Sequence, residues 1–100
     1  MDETPAVSKQ QAIERLTEHL YRSGCLSDLT QFRTELYRKE AEFSSDIAPN
    51  ISIPHAKSSA VVRPAIAAMK TADHHTVYVI ASDNDENHIR MLSLLADSLL

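Results

Sequence analysis

The side chain best suited to chemistry in this chain is His55, which directly follows Ile53 and Pro54. The apolar stretch 51–53 predicts a short strand, and the proline ring fixes the backbone angle φ and removes a backbone donor. The imidazole is therefore expected to leave the sheet in a defined direction. Because histidine titrates near neutral pH, one of its ring nitrogens can act as a base, a metal ligand or a nucleophile. The alternative is a histidine at a strand end that is simply exposed to solvent.

Residues 51–58 and 60–67, which surround this histidine, resemble the active-site segment of the fructose/mannitol-type enzyme IIA domains of the bacterial sugar phosphotransferase system. The resemblance extends to residues 8–21, which are similar to the family's first helix, and to residues 27–42, which are similar to its second. Residues 86–89 and the leucines after them resemble the segment with the family's second active-site histidine. Nearly the whole chain is covered by these similarities.

This resemblance implies a function based on phosphohistidine. In the family, the histidine at the position of His55 accepts a phosphoryl group from the phosphocarrier HPr and passes it to a cysteine of the cognate enzyme IIB. His55 is then the nucleophile of a phosphotransferase component in sugar uptake or its regulation, with HPr and an enzyme IIB as partners. His88 is expected to be the second active-site histidine, which orients and neutralises the phosphate instead of attacking it. No cofactor is implied.

Three further side chains are expected to support the phosphate, because the resemblance aligns them with family residues of the active site. Lys39 and Glu40 stand at the family's Arg-Glu pair, and Ser45 stands at a threonine. Lysine keeps the charge of arginine but loses its forked pair of donors. A phosphoryl group in transfer carries negative charge on its peripheral oxygens, so it needs donors and cations in fixed positions around it.

The chain also departs from the family's pattern before and after this segment. Asp46, Ala48 and Asn50 occupy positions where the family's loop has glycines. Asp46 is expected to place a carboxylate near the phosphate, which would disfavour a dianion. Between Met69 and Thr76 the chain is too short for the family's tryptophan-containing connection. The alternative function is therefore a non-catalytic regulatory or interaction module with an enzyme IIA-like fold.

Length and composition predict one small cytoplasmic domain. One hundred residues allow a single domain over 1–100 with a modest core, which ends before the family's final helical segment. The formal charge of -4 and the dispersed Arg and Lys argue against nucleic-acid binding. No apolar run approaches the ~20 residues that a membrane span needs, and the acidic start is unlike a signal peptide. The lone Cys25 fits a reducing compartment and is expected to be a packed thiol.

Two other kinds of site are weaker interpretations of the sequence. His74 and His75 could contribute to a zinc site, but no further ligands stand near them at the usual spacing, and no metal is predicted. A hydrolase with Ser, His and Asp has the necessary residue types here. No serine, however, lies in the glycine pattern of a nucleophile elbow.

Periodicity and capping signals predict the helices that position these residues. A first helix is expected after Ser8, capped by its hydroxyl, with its end at Gly24. A second helix is expected from Ser27 and Asp28, and a third from about His88. The apolar stripes expected to be buried are Ile13, Leu16 and Leu20 in the first helix, Leu29, Phe32 and Leu36 in the second, and Ile89, Leu92, Leu95, Ala96 and Leu99 in the third.

Three strands are expected between the second and third helices. They span 51–53, 65–69 and 76–81, with a loop over 44–50 before them and a hairpin-type turn over 73–75 between the last two. Strands interleaved with helices imply an α+β fold, layered like an α/β protein, in which a central mixed β-sheet is flanked by helices.

Overall fold

The computed structural model describes residues 8–42, 46–72 and 74–99, with side chains described as far as Asp97. Within these ranges, three helices flank a mixed five-stranded sheet, which confirms the predicted fold class. None of these helices is long and apolar enough to cross a membrane. The helices and strands are, in chain order, α1 (Lys9–Arg22), α2 (Leu29–Glu42), β1 (Asp46–Ala48), β2 (Ile51–Ser52), β3 (His55–Lys57), β4 (Ala65–Lys70), β5 (Thr76–Ser82) and α3 (Asp85–Leu99).

The sheet is built around β5, which has neighbours along both of its edges. β4 pairs with it antiparallel along residues 65–70 and 76–81. β2 and β3 pair with it parallel, one after the other, along the opposite edge. β1 continues the sheet outward from β2. This arrangement places His55 of β3 opposite Ile80 of β5.

The helices cover both faces of the sheet, because alternate side chains of β5 point in opposite directions. Val77, Val79 and Ala81 pack with α1 and α2 in the larger apolar cluster. Ile80 packs on the other face with Leu95 of α3 in a smaller cluster. A strand that is buried on both faces therefore holds the three layers together.

Local signals determine both ends of α1. The Ser8 hydroxyl accepts a hydrogen bond from the Gln11 N–H at 3.2 Å, which confirms Ser8 as the N-terminal cap. At the other end Gly24 has φ +81°, and the N–H of Cys25 donates to Leu20 O at 2.9 Å. This left-handed turn satisfies a carbonyl that the helix leaves open, which is why the chain's single glycine stands there. The side chains predicted to be buried on α1 are all buried.

The second helix also follows its prediction. The Gln31 N–H donates to Asp28 Oδ1 at 2.9 Å, so Asp28 caps α2. Phe32 and Leu36 are fully buried against the sheet, and Leu29 packs partly buried beside them. The short connection between α1 and α2 therefore places both helices on one face of the sheet.

The loop predicted over 44–50 is wrong in part. Asp46–Ala48 forms β1, which pairs antiparallel with β2 through a register shift. The turn formers Pro49 and Asn50 lie between these two strands. The turn signals at Pro49 and Asn50 correctly predict a turn. The strand before this turn was not predicted, because its pairing with β2 is not a local property of the sequence.

The strand that leads to the histidine also differs from the prediction. β2 ends at Ser52, one residue earlier than expected. His55 does not leave the sheet but begins a further strand, β3. Pro54 interrupts the strand because it has no N–H, yet its carbonyl accepts from the Ile80 N–H at 3.0 Å, so pairing with β5 continues across it.

The hairpin between β4 and β5 confirms the predicted strands and turn. The Thr71 N–H donates to His75 O at 2.7 Å and closes the connection. His74 adopts a left-handed backbone with φ 66°, which a turn of this kind requires. Asp73 lies outside the described residues.

The third helix begins earlier than predicted, at Asp85 and not near His88. Its cap is Asn84, whose Oδ1 accepts from the Asn87 N–H at 2.8 Å. The sequence contains several capping residues in succession, and only the position of the helix over the sheet selects one of them.

The buried stripe predicted for α3 is partly wrong. Leu95 is buried and Leu92 packs partly buried beside it, as expected. Ile89, however, is 64% exposed, and Ala96 is also exposed. Met91 packs against the sheet instead. The side chain of Leu99 lies outside the described residues. The apolar patch on this face of the sheet is small, so it covers a narrower stripe of α3 than periodicity suggests.

Candidate functional site

His55 begins β3, and the backbone just before it holds its ring. The ring Nδ1 lies 2.7 Å from the carbonyl oxygen of Ile53. A carbonyl oxygen only accepts hydrogen bonds, so Nδ1 must carry the proton and donate it. In the neutral ring Nε2 then has the lone pair, and the side chain is only partly buried. Nε2 of His55 is therefore available as a nucleophile.

His88 lies near the start of α3, on the same side of the sheet as this imidazole. Its backbone N–H donates to Asn84 O at 3.0 Å and is therefore used by the helix. Its ring Nδ1 lies 2.8 Å from the hydroxyl oxygen of Ser82, at the end of β5. The sheet thus holds this ring from behind, and Nε2 is the atom that can meet a ligand.

The structure brings the two predicted histidines together. The centroids of the rings of His55 and His88 are 5.0 Å apart, with 50° between their planes. Burial lowers the pKa of His88 below its ordinary value. The nearby His55, Lys39 and Lys57 lower it further, while Asp85 opposes them. His88 is consequently neutral at neutral pH, with one ring nitrogen as donor and one as acceptor.

A cleft of about 380 Å³ lies between α2 and β3. Its lining contains three cationic side chains, Arg38, Lys39 and Lys57, and one carboxylate, that of Glu35. Such an excess of positive charge favours an anionic ligand, and the charges of Lys39 and Lys57 also act on His88. Lys39 and its neighbour Arg38 thus line this cleft on α2, and the role of Lys39 toward a phosphate stays a prediction.

Lys57 connects the cleft to the start of α3. Its Nζ lies 2.8 Å from Asp85 Oδ1. The hydrogen bond from Lys57 lowers the pKa of the Asp85 carboxyl. Both side chains are at least half exposed, so the ion pair adds little to stability. The pair links β3 to the start of α3, and the charge of Lys57 acts on His88.

The other two predicted phosphate-supporting residues have different outcomes. The carboxylate of Glu40 is paired with Lys9 Nζ at 2.8 Å, which joins α2 to α1. Glu40 does not belong to the lining of the cleft. Ser45 lies outside the described residues, so its role stays a prediction.

Asp46 is held away from the two imidazoles. It accepts hydrogen bonds from the hydroxyl of Ser52 and from Lys9 Nζ. Ser52 pairs with β5 three positions before His55 does, which corresponds to roughly 10 Å along the strand. The expectation that Asp46 places its charge beside the phosphate is therefore wrong. Its strand β1 pairs with β2, which meets β5 at the opposite end from β3.

A second serine–histidine contact lies at that end of the sheet. The hydroxyl of Ser52 contacts His75 Nε2 at 2.5 Å and also Asp46. Ser52 is completely buried, and the two partners each contact its hydroxyl directly. In a hydrolase the histidine lies between serine and carboxylate and passes the proton between them. This cluster is therefore a structural network that ties β1 and β2 to the β4–β5 turn.

The remaining candidates do not assemble into a site. His74 is exposed in the hairpin turn, and His75 belongs to the network just described. Within the described parts of the chain, no three His, Cys, Asp or Glu side chains are close enough together to hold a metal ion. Cys25 is buried in the core, as expected for a packed thiol.

Two residues near the imidazoles were missed from the sequence. Lys57 lies two residues after His55 in β3 and therefore on the same face of the sheet. That signal exists in the sequence, but it can be read only if 55–57 is recognised as a strand. Ser82 falls one residue beyond the strand that the sequence predicts over 76–81. It is in fact the last residue of β5, with its side chain turned toward α3.

Comparison with known proteins identifies relatives of this chain. The chain is similar to the PTS system fructose-specific EIIABC component of Bacillus subtilis, with 30% identity over 105 residues. That match covers 92% of this chain but 16% of the relative, so the chain spans about a sixth of the relative's length. The PTS system fructose-specific EIIA component of Haloferax volcanii is 27% identical over 111 residues, which covers 98% of this chain and 72% of the relative.

The fold is that of a solved enzyme IIA. The crystal structure of IIA mannitol from Escherichia coli matches 95% of this chain and 75% of its own, with a TM-score of 0.77 and 20% sequence identity. The family model described as "Phosphoenolpyruvate-dependent sugar phosphotransferase system, EIIA 2" matches residues 3–100. Since this match extends over nearly every residue, the chain belongs to the EIIA 2 family of the phosphoenolpyruvate-dependent sugar phosphotransferase system.

Proposed function

We propose that the chain is a phosphocarrier that accepts a phosphoryl group from HPr on Nε2 of His55 and passes it to a cysteine of an enzyme IIB. The observation that carries this proposal is the pair of imidazoles 5.0 Å apart, in which the Nδ1 of His55 is already bonded to Ile53 O. Membership of a phosphotransferase family supports the same reaction class.

The acceptor step requires no proton transfer at His55. The proton stays on Nδ1, hydrogen-bonded to the Ile53 carbonyl, while the lone pair of Nε2 forms the new N–P bond. The N–P bond in the donor phosphohistidine breaks at the same time, and the donor imidazole leaves with that electron pair. A ring that is held in one orientation beforehand loses little entropy when it attacks in line.

The surroundings of the two imidazoles suit the charge that moves. The peripheral oxygens of the phosphoryl group carry negative charge throughout the transfer. His88 supplies a neutral donor, and Lys39 and Lys57 supply positive charge from two different elements. Arg38 lines the same cleft and extends this positive region along α2. Positioned donors of this kind stabilise a transition state more than they stabilise either reactant.

The partners and the location are part of the same proposal. The relative from Bacillus subtilis is named an EIIABC component, which supports an enzyme IIB as the phosphoryl acceptor. The HPr donor follows from the resemblance of residues 51–58 to the family's active-site segment. The lone cysteine supports a location in a reducing compartment such as the cytoplasm.

The test is phosphorylation by the general phosphotransferase components. The chain is incubated with phosphoenolpyruvate, enzyme I and HPr, and its intact mass is measured. We expect a gain of one phosphoryl group in a linkage that acid cleaves and base does not. His55→Gln should gain none, because the glutamine amide is not a nucleophile.

A matched control is His19→Gln, since His19 is an exposed imidazole on α1 that lines a cleft with β4 and not with β3. This variant should be phosphorylated as fast as the parent chain. Full labelling of His55→Gln would show that another group accepts the phosphoryl. A parent chain that takes up no phosphoryl group would favour the interaction-module alternative.

A further inference from the structure

The buried hydroxyl of Ser82 lies behind the second imidazole and has no part in the reaction as described so far. Its oxygen is 2.8 Å from His88 Nδ1 and 3.4 Å from the carbonyl oxygen of Ala56. Ser82 is completely buried at the end of β5. Its own carbonyl accepts from the Ser58 N–H at 2.9 Å, so the sheet holds the residue rigidly.

A count of protons decides which way this hydrogen bond runs. The hydroxyl has one proton, and both His88 Nδ1 and Ala56 O could accept it. The contact to Nδ1 has the length of a good hydrogen bond, whereas 3.4 Å to Ala56 O is at the limit. Ala56 also lies in a regular parallel ladder, in which its carbonyl has a backbone donor available. The hydroxyl of Ser82 therefore makes its better hydrogen bond by donating to His88 Nδ1.

We infer that Ser82 is a positioning residue, which donates its hydroxyl proton to His88 Nδ1 and thereby keeps the proton of that ring on Nε2, facing the phosphoryl group. This inference rests on the proposed phosphocarrier function. No bond is made or broken at Ser82, and its hydroxyl contacts only the imidazole and the backbone. The ligand addressed is the phosphoryl group on His55, through His88.

The two imidazoles are then held in opposite tautomers. His55 donates from Nδ1 to the Ile53 carbonyl, which leaves a lone pair on its Nε2. His88 accepts at Nδ1 from Ser82, which leaves an N–H on its Nε2. One ring thus offers an electron pair and the other a donor, and the backbone and a buried hydroxyl determine which is which. If both rings carried the proton on Nε2, His55 would lack the lone pair that attacks phosphorus. If both carried it on Nδ1, His88 would lack the donor to the phosphoryl oxygens.

The charges around His88 are compatible with this assignment. Besides burial, the electrostatic influence of His55, Lys39 and Lys57 lowers the pKa of His88, and the carboxylate of Asp85 raises it. Burial and these neighbours lower the pKa of His88, so the neutral ring dominates near pH 7. A doubly protonated ring carries a proton on both nitrogens and has no tautomers, so the Ser82 hydroxyl would accept a hydrogen bond from it instead of donating one.

The decisive experiment reads the tautomer directly, in the unphosphorylated protein. Long-range proton–nitrogen correlation spectra of the nitrogen-labelled chain near neutral pH distinguish a ring with its proton on Nε2 from one with its proton on Nδ1. We expect Nε2–H for His88 and Nδ1–H for His55. Detection of Nδ1–H on His88 in the parent chain would overturn the inference, whatever the phosphotransfer assay shows.

Variants of the serine test the consequence for transfer. Ser82→Ala should bring His88 to a mixture of tautomers and slow phosphoryl acceptance about tenfold, the usual worth of one intramolecular hydrogen bond. Ser82→Thr retains a hydroxyl and should recover both the tautomer and most of the rate. If Ser82→Ala keeps the parent tautomer and the parent rate, Ser82 has no positioning role.

The matched control is Ser52→Ala, which removes an equally buried hydroxyl that contacts another imidazole, that of His75. It should change the nitrogen signals of His75 and leave those of His88 and the rate of transfer unchanged. The two proposals fail separately. A parent chain without phosphoryl uptake refutes the phosphocarrier function, and the tautomer spectra still decide the role of Ser82.

Discussion

Replacement of His88 by alanine is the sharpest test of the two-histidine site. The substitution removes the Nε2–H donor while the nucleophile, His55, keeps its bond to the Ile53 carbonyl. Loss of one oriented donor to a developing anion slows a reaction by roughly a hundredfold to a thousandfold. Lys39 and Lys57 remain to attract the phosphoryl group, so we expect the lower end of this range. About a hundredfold corresponds to ~2.7 kcal/mol of lost transition-state stabilisation.

The measurement is single-turnover transfer from radiolabelled phospho-HPr, quenched on the millisecond scale. His88→Ala should lower the maximum rate and change the concentration of HPr at half-maximum little, because the donor acts on the transferring group. The matched control is Arg90→Ala on the same helix, whose exposed side chain pairs weakly with Glu86 at 3.5 Å. This control should retain the parent rate.

Stability must be measured in parallel, because His88 also contacts Ser82. Loss of this hydrogen bond is expected to cost about 1 kcal/mol of unfolding free energy, which leaves the chain folded at room temperature. A folded His88→Ala variant with the parent rate of transfer would refute the reasoning. It would mean that His55 reacts without help from the second imidazole, despite the 5.0 Å between the ring centroids.

Three further predictions concern the surroundings of the site and the frame that supports it. Lys39→Arg should raise the rate of transfer by up to about tenfold in the same assay, because a forked donor replaces a point charge in the cleft. Gly24→Ala should lower the free energy of unfolding, measured in urea, by ~1–2 kcal/mol, because alanine is strained in the left-handed backbone at φ +81°. No clash adds to this cost, since the nearest atom to the new Cβ is Arg63 Nη2 at 3.5 Å. Asp46→Asn should leave transfer unchanged within about twofold, because an exposed charge ~10 Å away is screened. Hydrogen bonds from Ser52 and then Lys9 lower the pKa of Asp46, so its contribution to stability is complete above about pH 4 and lost as the pH falls through the lowered value. Acid unfolding of the parent chain and the variant should show this difference, and equal acid midpoints would contradict it.

The helices α1 and α2 were predictable because their signals are local. A cap, a stripe of apolar residues and a left-handed glycine all lie within a few residues of the element they define, as Ser8 and Gly24 show. The third helix was less predictable for the same reason. Several capping residues precede it, and the choice of Asn84 and the exposure of Ile89 depend on where the helix meets the sheet.

The strands around His55 show the opposite case. A proline locally ends a strand, so the sequence indicated that the imidazole leaves the sheet. Pairing of β3 with β5 overrides this signal because it joins residues 55–57 to 80–82, which are far apart in the chain. Asp46 was misplaced for a related reason. Its sequence distance from His55 is short, but β1 pairs with β2, and β2 and β3 lie at different ends of the same edge of β5.

The amino-acid sequence by itself indicated the family through short motifs and the fold class through its alternation of strands and helices. The same motifs predicted His55 and His88 as the pair of site imidazoles. The tertiary structure alone decided the chemical state of those imidazoles. A carbonyl behind His55 and a hydroxyl behind His88 place the ring protons on opposite nitrogens. The partner of His55 is its near neighbour Ile53, but Ser82 reaches His88 only through the end of a central strand. Hydrogen bonds act over about 3 Å, so a ring nitrogen responds to what folding brings beside it and not to what precedes it in the chain.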